Sequence, residues 1–302
     1  MTVAARPIAR KPVRVVRESL YIEPISSCNL KCKMCYTNVV NGPERTLVDP
    51  ETIHDFVQRF LAVTPEQVWV YWCGTGEVFL QREFPAMVNR LLGEFPEERL
   101  TQTIQTNGTV RRLKEFDSLE RLDFNVSIDG PRQFHEWHRG KNTYDRTLDF
   151  CREATAMGAR SILVRMLLTR DSIHFLDEFQ AELIERIGPD VKLAIGAPYT
   201  NRILCGVRSR ARAINPHEID DAFAITQSEA RAILAAKYQN RYELDEDPDA
   251  VDNYLSLTTY GVFSCCHGII KLGEPRADIN TLLEGLVASE RACRACSMFP
   301  CM

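Results

Sequence analysis

The chain has 302 residues, of which 45% are hydrophobic and 26% charged, and its formal net charge is −4 at pH 7. This composition is typical of a soluble globular protein of roughly two domains. No apolar run approaches the ~18 residues of a membrane helix, the start up to Arg17 lacks the apolar core of a signal peptide, and no basic block marks a nucleic-acid interface. Eleven cysteines in such a chain are expected to be metal ligands or reactants rather than disulfides, so we predict a cytoplasmic protein.

Residues 1–17, with two prolines and several arginines, show no periodicity and predict a mobile arm. Six apolar or β-branched runs then alternate with segments suited to helices. The predicted strands are 19–25, 67–72, 100–105, 121–128, 161–168 and 191–195. The predicted helices are 50–62, with Asp49 as cap and Pro50 in the first position, 84–95, 110–119, 144–157 and 175–187. This alternation predicts an α/β fold with a parallel sheet and right-handed crossovers, whose ligands gather at the carboxyl ends of the strands.

Three cysteines follow the first predicted strand at a spacing of C-x3-C-x2-C. They are Cys28, Cys32 and Cys35, and we call the segment 28–35 the cysteine loop. Three thiolates on one short loop can bind three irons of a [4Fe-4S] cluster and leave the fourth iron without a protein ligand. Zinc is the alternative metal, but it usually takes CxxC pairs and four N or S ligands.

This spacing after a first strand resembles the radical S-adenosylmethionine (SAM) superfamily. The resemblance implies that SAM chelates the open iron, that the reduced cluster cleaves SAM to a 5′-deoxyadenosyl radical, and that Met34 lies against the adenine. It also implies a partial (β/α)6 barrel over residues 18–200 and an electron-donor protein such as a flavodoxin or ferredoxin. The cofactors supply this chemistry, and the protein directs it.

The end of the second predicted strand also resembles a motif of this superfamily. Its sequence is Cys73-Gly-Thr-Gly-Glu77, similar to the GGEP motif but with Thr75 and Val78 in place of Gly and Pro. The resemblance implies that Gly74, Thr75 and Gly76 let backbone carbonyls approach the SAM ammonium group, while Glu77 steadies the loop.

The third and fourth predicted strands end in Thr106-Asn107-Gly108 and Ser127-Ile-Asp129-Gly130. These elements are similar to those of SAM-dependent peptide maturases, which implies SAM or substrate contacts for Asn107, Ser127 and Asp129. Each Asn-Gly or Asp-Gly pair alone is also a common turn. Arg165 on the fifth strand is a candidate for bidentate pairing with the SAM carboxylate, and a salt bridge to a nearby helix is an equal alternative.

Two polar segments have an ordinary interpretation beside a functional one. His135 and His138 are spaced as neighbours on one helical face, and we favour a solvated face over a substrate contact. The run 243–249 holds five carboxylates in seven residues, typical of a solvated loop or, alternatively, of a rim that attracts polycations.

The alternation stops after Pro198, and residues 201–302 predict a separate cysteine-rich extension with a helical segment at 218–238. Its cysteine pattern resembles the twitch or SPASM extensions of radical SAM enzymes, which implies an auxiliary [4Fe-4S] cluster. The implied ligands are Cys266, Cys293, Cys296 and Cys301, with Cys205 as the alternative fourth ligand. Zinc is again the alternative metal.

Cys265 and Cys266 are adjacent, and in an extended segment they point to opposite faces. If Cys266 binds the auxiliary cluster, Cys265 can turn to the barrel mouth and return a hydrogen atom to a substrate radical. Return from the opposite face inverts the carbon, whereas loss of an electron oxidises an alcohol to a ketone. The reverse assignment of the two cysteines stays open, as does a buried structural role for Cys265.

The whole pattern resembles the aminoglycoside-tailoring members of the superfamily. It implies an epimerase that inverts a sugar carbon of a polycationic aminoglycoside, of the neomycin C to neomycin B type, and consumes SAM as co-substrate. The alternatives are a dehydrogenase of an aminoglycoside or cyclitol alcohol and a ribosomal-peptide maturase. Glu77, Asp129, Glu136 and the 243–249 run are expected to bind substrate ammonium groups.

Overall fold

The computed structural model describes residues 13–33, 35, 47–74, 76–196, 225–244, 251–264 and 270–295. Nine strands in these ranges form one sheet in the order β6-β5-β4-β3-β2-β1-β7-β8-β9. The strands are β1 Val13–Ile22, β2 Val68–Trp72, β3 Leu100–Thr106, β4 Leu122–Ser127, β5 Ser161–Leu167, β6 Lys192–Gly196, β7 Val251–Thr258, β8 Gly261–Ser264 and β9 Ile270–Gly273. Strands β1 to β6 are parallel to one another, β7 pairs parallel with β1, and β8 and β9 continue antiparallel.

Seven α-helices accompany the sheet in the described ranges. They are α1 Pro50–Val63, α2 Phe84–Glu94, α3 Arg132–Arg139, α4 Tyr144–Ala156, α5 Leu176–Arg186, α6 Gln227–Tyr238 and α7 Ile279–Ala295. None of the described helices combines the length and apolar character needed to cross a lipid bilayer.

The two faces of the sheet differ in what covers them. On one face, fully buried strand residues such as Ile22, Val70 and Phe124 join one continuous core with helix residues such as Phe56 and Phe150. Consecutive parallel strands with right-handed crossovers place their helices on the same side, which explains this layer. The other face, which we call the inner face, carries the alternate residues of the same strands, because side chains alternate along a strand.

The predicted α/β fold with a mainly parallel sheet is confirmed. Helix α1 begins as predicted, since the Asp49 side chain accepts a hydrogen bond from Thr52 N at 2.9 Å. Strand β1 begins at Val13, earlier than predicted, because Val13 to Val15 pair with the first residues of β7.

The predicted helix at 110–119 is wrong. Two short 3-10 helices, Leu113–Glu115 and Leu119–Arg121, occupy this segment and the residues that follow it. The Arg112 guanidinium donates to the carbonyl oxygens of Gln81 and Arg82 at 2.7 and 2.6 Å, which ties the segment to the residues after β2.

The predicted division of the chain at residues 17 and 200 stays a prediction. Among the described residues beyond 200, β7 to β9 extend the same sheet, because β7 pairs with β1.

Candidate active site at the cysteine loop

The cysteine loop begins where β1 has ended, at the carboxyl edge of the parallel strands. Its three cysteines are half-buried and carry their sulfurs as thiols rather than disulfides. Cys35 N donates to Cys32 O at 3.1 Å, and Leu30 N approaches Cys28 Sγ at 3.4 Å, so the loop curls round its own thiols. Burial raises the pKa of Cys28 and raises that of Cys32 to about 11. Such thiols stay protonated until a metal displaces the proton.

The glycine turn after β2 packs directly on the cysteine loop. A Cβ added to Gly76 would lie 2.5 Å from Ser27 O and 2.9 Å from Ser27 N, so a larger residue has no room. Glu77 N donates to Ser27 O at 2.9 Å, which joins the two segments by their backbones. Gly74 has φ of 131°, a conformation that glycine adopts without strain. Thr75, like Met34, lies outside the described residues.

The Glu77 carboxylate connects the ends of β2 and β3. It is 2% exposed and accepts hydrogen bonds from Thr106 Oγ1 at 2.7 Å and from Asn107 N at 2.8 Å. Burial raises its pKa, while these donors oppose the rise. The prediction that Glu77 steadies the loop agrees with this geometry. The expectation that Glu77 binds a substrate ammonium group is wrong, because the carboxylate is buried and bonded to neighbouring donors.

Asn107 lies beside the first cysteine. Its Nδ2 atom is 3.8 Å from Cys28 Sγ and donates to Asn29 Oδ1 at 3.0 Å. Its Oδ1 atom accepts from Thr109 N at 2.9 Å, which fixes the amide orientation. The end of β3 is thus placed against the cysteine loop, as the sequence predicted for a cofactor site.

Asp129, which follows β4, is buried, and its carboxylate is hydrogen-bonded to other residues of the protein. Its carboxylate is 1% exposed and accepts from Arg139 Nε at 2.7 Å, Arg139 Nη2 at 3.3 Å and Leu167 N at 3.2 Å. Burial alone would raise the pKa of Asp129, but the Arg139 guanidinium holds it below its usual value. The expectation that Asp129 binds ligand ammonium groups is therefore wrong. Glu136 likewise pairs with Arg132, at 3.5 Å.

The two histidines of α3 face inward, so the predicted solvated helix face is wrong. His135 and His138 are 0% and 2% exposed. His135 Nδ1 accepts from Asp129 N at 3.3 Å. Burial lowers the pKa of His135 to about 3 and that of His138 to about 4. Both rings are therefore neutral at physiological pH.

Ser127 and Arg165 are neighbours on the inner face. They are Cα partners in the pairing of β4 with β5; Ser127 is half-buried and Arg165 is exposed.

Sequence reasoning missed a row of tyrosines on the inner face. Tyr21 stacks on Tyr254 with ring centroids 3.7 Å apart and on Tyr71 with ring centroids 4.7 Å apart. Trp69 and Tyr71 at alternate positions of β2, with Tyr21 near the end of β1, were the sequence signal for this row.

The remaining predicted site residues belong to the second half of the chain. Cys205, Cys265, Cys266, Cys296 and Cys301 lie outside the described residues, and Cys293 is described as part of α7 by its backbone alone. The auxiliary cluster and the hydrogen donor therefore stay predictions.

The residues present fit a [4Fe-4S] cluster at the cysteine loop. Three cysteine thiols share one loop, and the glycine turn and Asn107 pack beside it. Within the described part of the chain, no three His, Cys, Asp or Glu side chains surround a single metal ion. A cubane does not need such a group, because each thiolate binds a different iron.

Comparison with known proteins defines the class. The family model described as the radical SAM superfamily matches residues 22–179, more than half of the chain. The chain belongs to the radical SAM superfamily. It is therefore an enzyme of the class that uses SAM together with a [4Fe-4S] cluster.

Individual relatives agree on the fold. The serine-type anaerobic sulfatase-maturating enzyme of Bacteroides thetaiotaomicron is 28% identical over 127 residues, which are 39% of this chain and 31% of that protein. The chain thus matches about a third of the length of that relative. The structure of native anSMEcpe with bound AdoMet has a TM-score of 0.65 at 14% identity, covering 90% of this chain and 80% of that one. Streptococcus suis SuiB bound to S-adenosylmethionine has a TM-score of 0.57 at 12% identity, covering 82% and 60%.

Proposed function

We propose that this chain is a radical SAM epimerase that inverts a sugar carbon of an aminoglycoside, of the neomycin C to neomycin B type. The sequence resemblance to aminoglycoside-tailoring enzymes supports this substrate. The observation that carries the proposal in the structure is the cysteine loop, which places three half-buried thiols at the carboxyl edge of the sheet. Strand β8, which precedes Cys265 in the sequence, is two strands from β1 and runs antiparallel to β7.

When bound, the cluster and SAM supply a 5′-deoxyadenosyl radical that removes a hydrogen atom from the sugar carbon. In our proposal Cys28, Cys32 and Cys35 hold the cluster, and Gly74, Thr75, Gly76, Met34, Asn107, Ser127 and Arg165 form the SAM pocket. Cys265 then gives its thiol hydrogen to the opposite face of the carbon radical. The resulting thiyl radical takes up one electron from the donor protein and one proton from solvent, which restores the thiol. The auxiliary cluster on Cys266, Cys293, Cys296 and Cys301 remains part of this proposal.

Substrate binding must involve groups other than the internally paired Glu77 and Asp129. On the inner face, Tyr21 and Tyr71 of the tyrosine row are half-buried, and their side chains combine an apolar ring with a polar hydroxyl, a combination that suits a sugar. Glu243, the described member of the acidic run, is exposed. Its charge, together with the rest of the run, is our candidate for attracting the polycation.

The test is anaerobic incubation of the reconstituted protein with SAM, a reductant and neomycin C in D2O, followed by mass spectrometry and NMR. We expect an inverted carbon that carries one deuterium, with 5′-deoxyadenosine formed alongside. A product lighter by two hydrogen atoms would instead identify a dehydrogenase. Unchanged neomycin C would reject the aminoglycoside substrate.

Two matched variants separate the hydrogen donor from other thiols. Cys265→Ala should form 5′-deoxyadenosine but no inverted product. Cys151→Ala is the control, since Cys151 is fully buried in the core between α4 and the sheet, and it should keep epimerisation. If Cys265→Ala inverted the sugar carbon at the rate of the parent protein, Cys265 would not be the hydrogen donor, and Cys266 would be the next candidate.

A sulfatase or peptide maturase is the second candidate, favoured by the 28% identical sulfatase-maturating relative. A serine-containing sulfatase peptide replaces neomycin C in the same assay. A change in the mass of that peptide, without conversion of neomycin C, would favour the maturase over the epimerase.

A further inference from the structure

A buried ion pair lies where α3 meets the cysteine loop. Arg139, the last residue of α3, donates from Nε to Asp129 Oδ2 at 2.7 Å and from Nη2 to Asp129 Oδ1 at 3.3 Å. The side chains are 13% and 1% exposed. Bidentate pairs of this kind fix the guanidinium in position as well as in charge.

The end of α3 also contacts the cysteine loop directly. Lys33 N donates to His138 O at 2.8 Å, and Lys33 Nζ lies 3.7 Å from the centre of the Trp137 ring. This backbone bond joins the residue after Cys32 to the residue before Arg139, so the ion pair sits beside the second cysteine.

We propose that Arg139 is a positioning residue that sets the charge beside the cluster of the cysteine loop, with Asp129 holding it in place. The cluster gains one negative charge when it is reduced, and a fixed positive charge nearby stabilises that form. Net charge and burial around the sulfurs are among the factors that set cluster potentials, and the interaction is strong where water is excluded. The inference depends on membership in the radical SAM superfamily and not on the identity of the substrate.

Replacing Arg139 and replacing Asp129 should shift the reduction potential of the cluster in opposite directions. Arg139→Met leaves a buried carboxylate beside the cluster and should lower its reduction potential. Asp129→Asn leaves the arginine charge uncompensated and should raise it. Arg139→Lys keeps a charge and should stay nearer the parent than Arg139→Met. For each of the first two variants we expect at least a tenfold change in the ratio of reduced to oxidised cluster at a fixed potential, about 59 mV for one electron.

The experiment is a one-electron dithionite titration of the anaerobically reconstituted full chain, followed by electron paramagnetic resonance without substrate. The variant with Cys28, Cys32 and Cys35 all replaced by alanine identifies the signal, because the cysteine-loop cluster is the one it lacks. Iron content and thermal unfolding of each variant report on folding separately.

Opposite shifts for Arg139→Met and Asp129→Asn would support the proposal, since a merely structural role would move both potentials in the same direction or neither. Shifts of the same sign, or ratios of reduced to oxidised cluster within a factor of two of the parent ratio at the same potential, would overturn it. If Arg139→Met fails to hold iron, Asp129→Asn and Arg139→Lys decide: no rise for Asp129→Asn overturns the proposal. Because no substrate is present, this result is independent of the epimerase assay.

Discussion

Replacement of Gly76 by alanine tests whether the glycine turn positions the cysteine loop. The added Cβ would lie 2.5 Å from Ser27 O and 2.9 Å from Ser27 N, both backbone atoms. Ordinary contacts are ~3.5 Å or more between such atoms, so the loop must move by roughly 1 Å. Overpacking of this kind costs about 1–3 kcal/mol in a well-packed region. We expect Gly76→Ala to lose that much unfolding free energy and most of its cluster iron.

Gly93→Ala is the matched control, because it is the same substitution at an exposed site. Gly93 lies in α2 with no atom within 4 Å of an added Cβ. Alanine is better than glycine in a helix by up to about 1 kcal/mol, so this variant should gain stability and keep its iron. Urea unfolding and iron analysis after anaerobic reconstitution measure both effects. Full iron content and unchanged stability in Gly76→Ala would refute the packing argument.

Three further variants test other parts of the site and its frame. Glu77→Gln keeps the shape but turns an amide donor toward Asn107 N, so we expect a loss of about 1–3 kcal/mol in urea unfolding and weaker SAM binding by calorimetry; unchanged values would contradict the role of the carboxylate. His135→Phe tests pH dependence: the folded chain holds this imidazole neutral, with its pKa lowered to about 3 by burial, while the unfolded chain protonates it near 6.5. The contribution of His135 to the free energy of unfolding is therefore present above pH 6.5 and lost as pH falls. Between pH 6.5 and 5 the variant should lose about 2 kcal/mol less unfolding free energy than the parent. Parallel plots of unfolding free energy against pH would show that His135 does not cause the pH dependence. Asp49→Ala removes the cap on Thr52 and should cost about 1 kcal/mol in thermal unfolding without changing iron content; a loss of iron would mean that the cap supports the site.

The sequence predicted where functional residues lie better than it predicted how they are oriented. Strand ends are local features: a glycine-containing turn follows the apolar run at β2, β3 and β4, and the cysteine spacing marks the end of β1. The cysteine loop, Glu77 and Asn107 are found together at those ends. The partners of a carboxylate are not local: Glu77 meets residues 29 and 30 positions away. Such contacts depend on sheet register, which a single sequence does not give.

Two predictions of local structure were wrong because both relied on the spacing of residues along the sequence. Leu113, Phe116 and Leu119 are buried and spaced by three, a spacing that suits an α-helix and also the three residues per turn of a 3-10 helix. The spacing of His135 and His138 correctly placed them on one face of a helix. It could not tell whether that face is solvated or packed, because four of the six other residues of α3 are polar.

The internal use of the acidic groups limits where a substrate can bind. Glu77 is held by Thr106 and Asn107, and Asp129 by Arg139, so both carboxylates serve the frame of the cysteine loop. A buried carboxylate without such partners would carry a large desolvation cost, which explains why strand-end acids of this kind are paired. The inner face also carries Ser127, Arg165 and the tyrosine row. For the amine-bearing sugar that we propose as substrate, we therefore expect recognition by charges outside the buried frame. Removal of the carboxylates of the run 243–249, more than any change at Glu77 or Asp129, should raise the KM for an aminoglycoside.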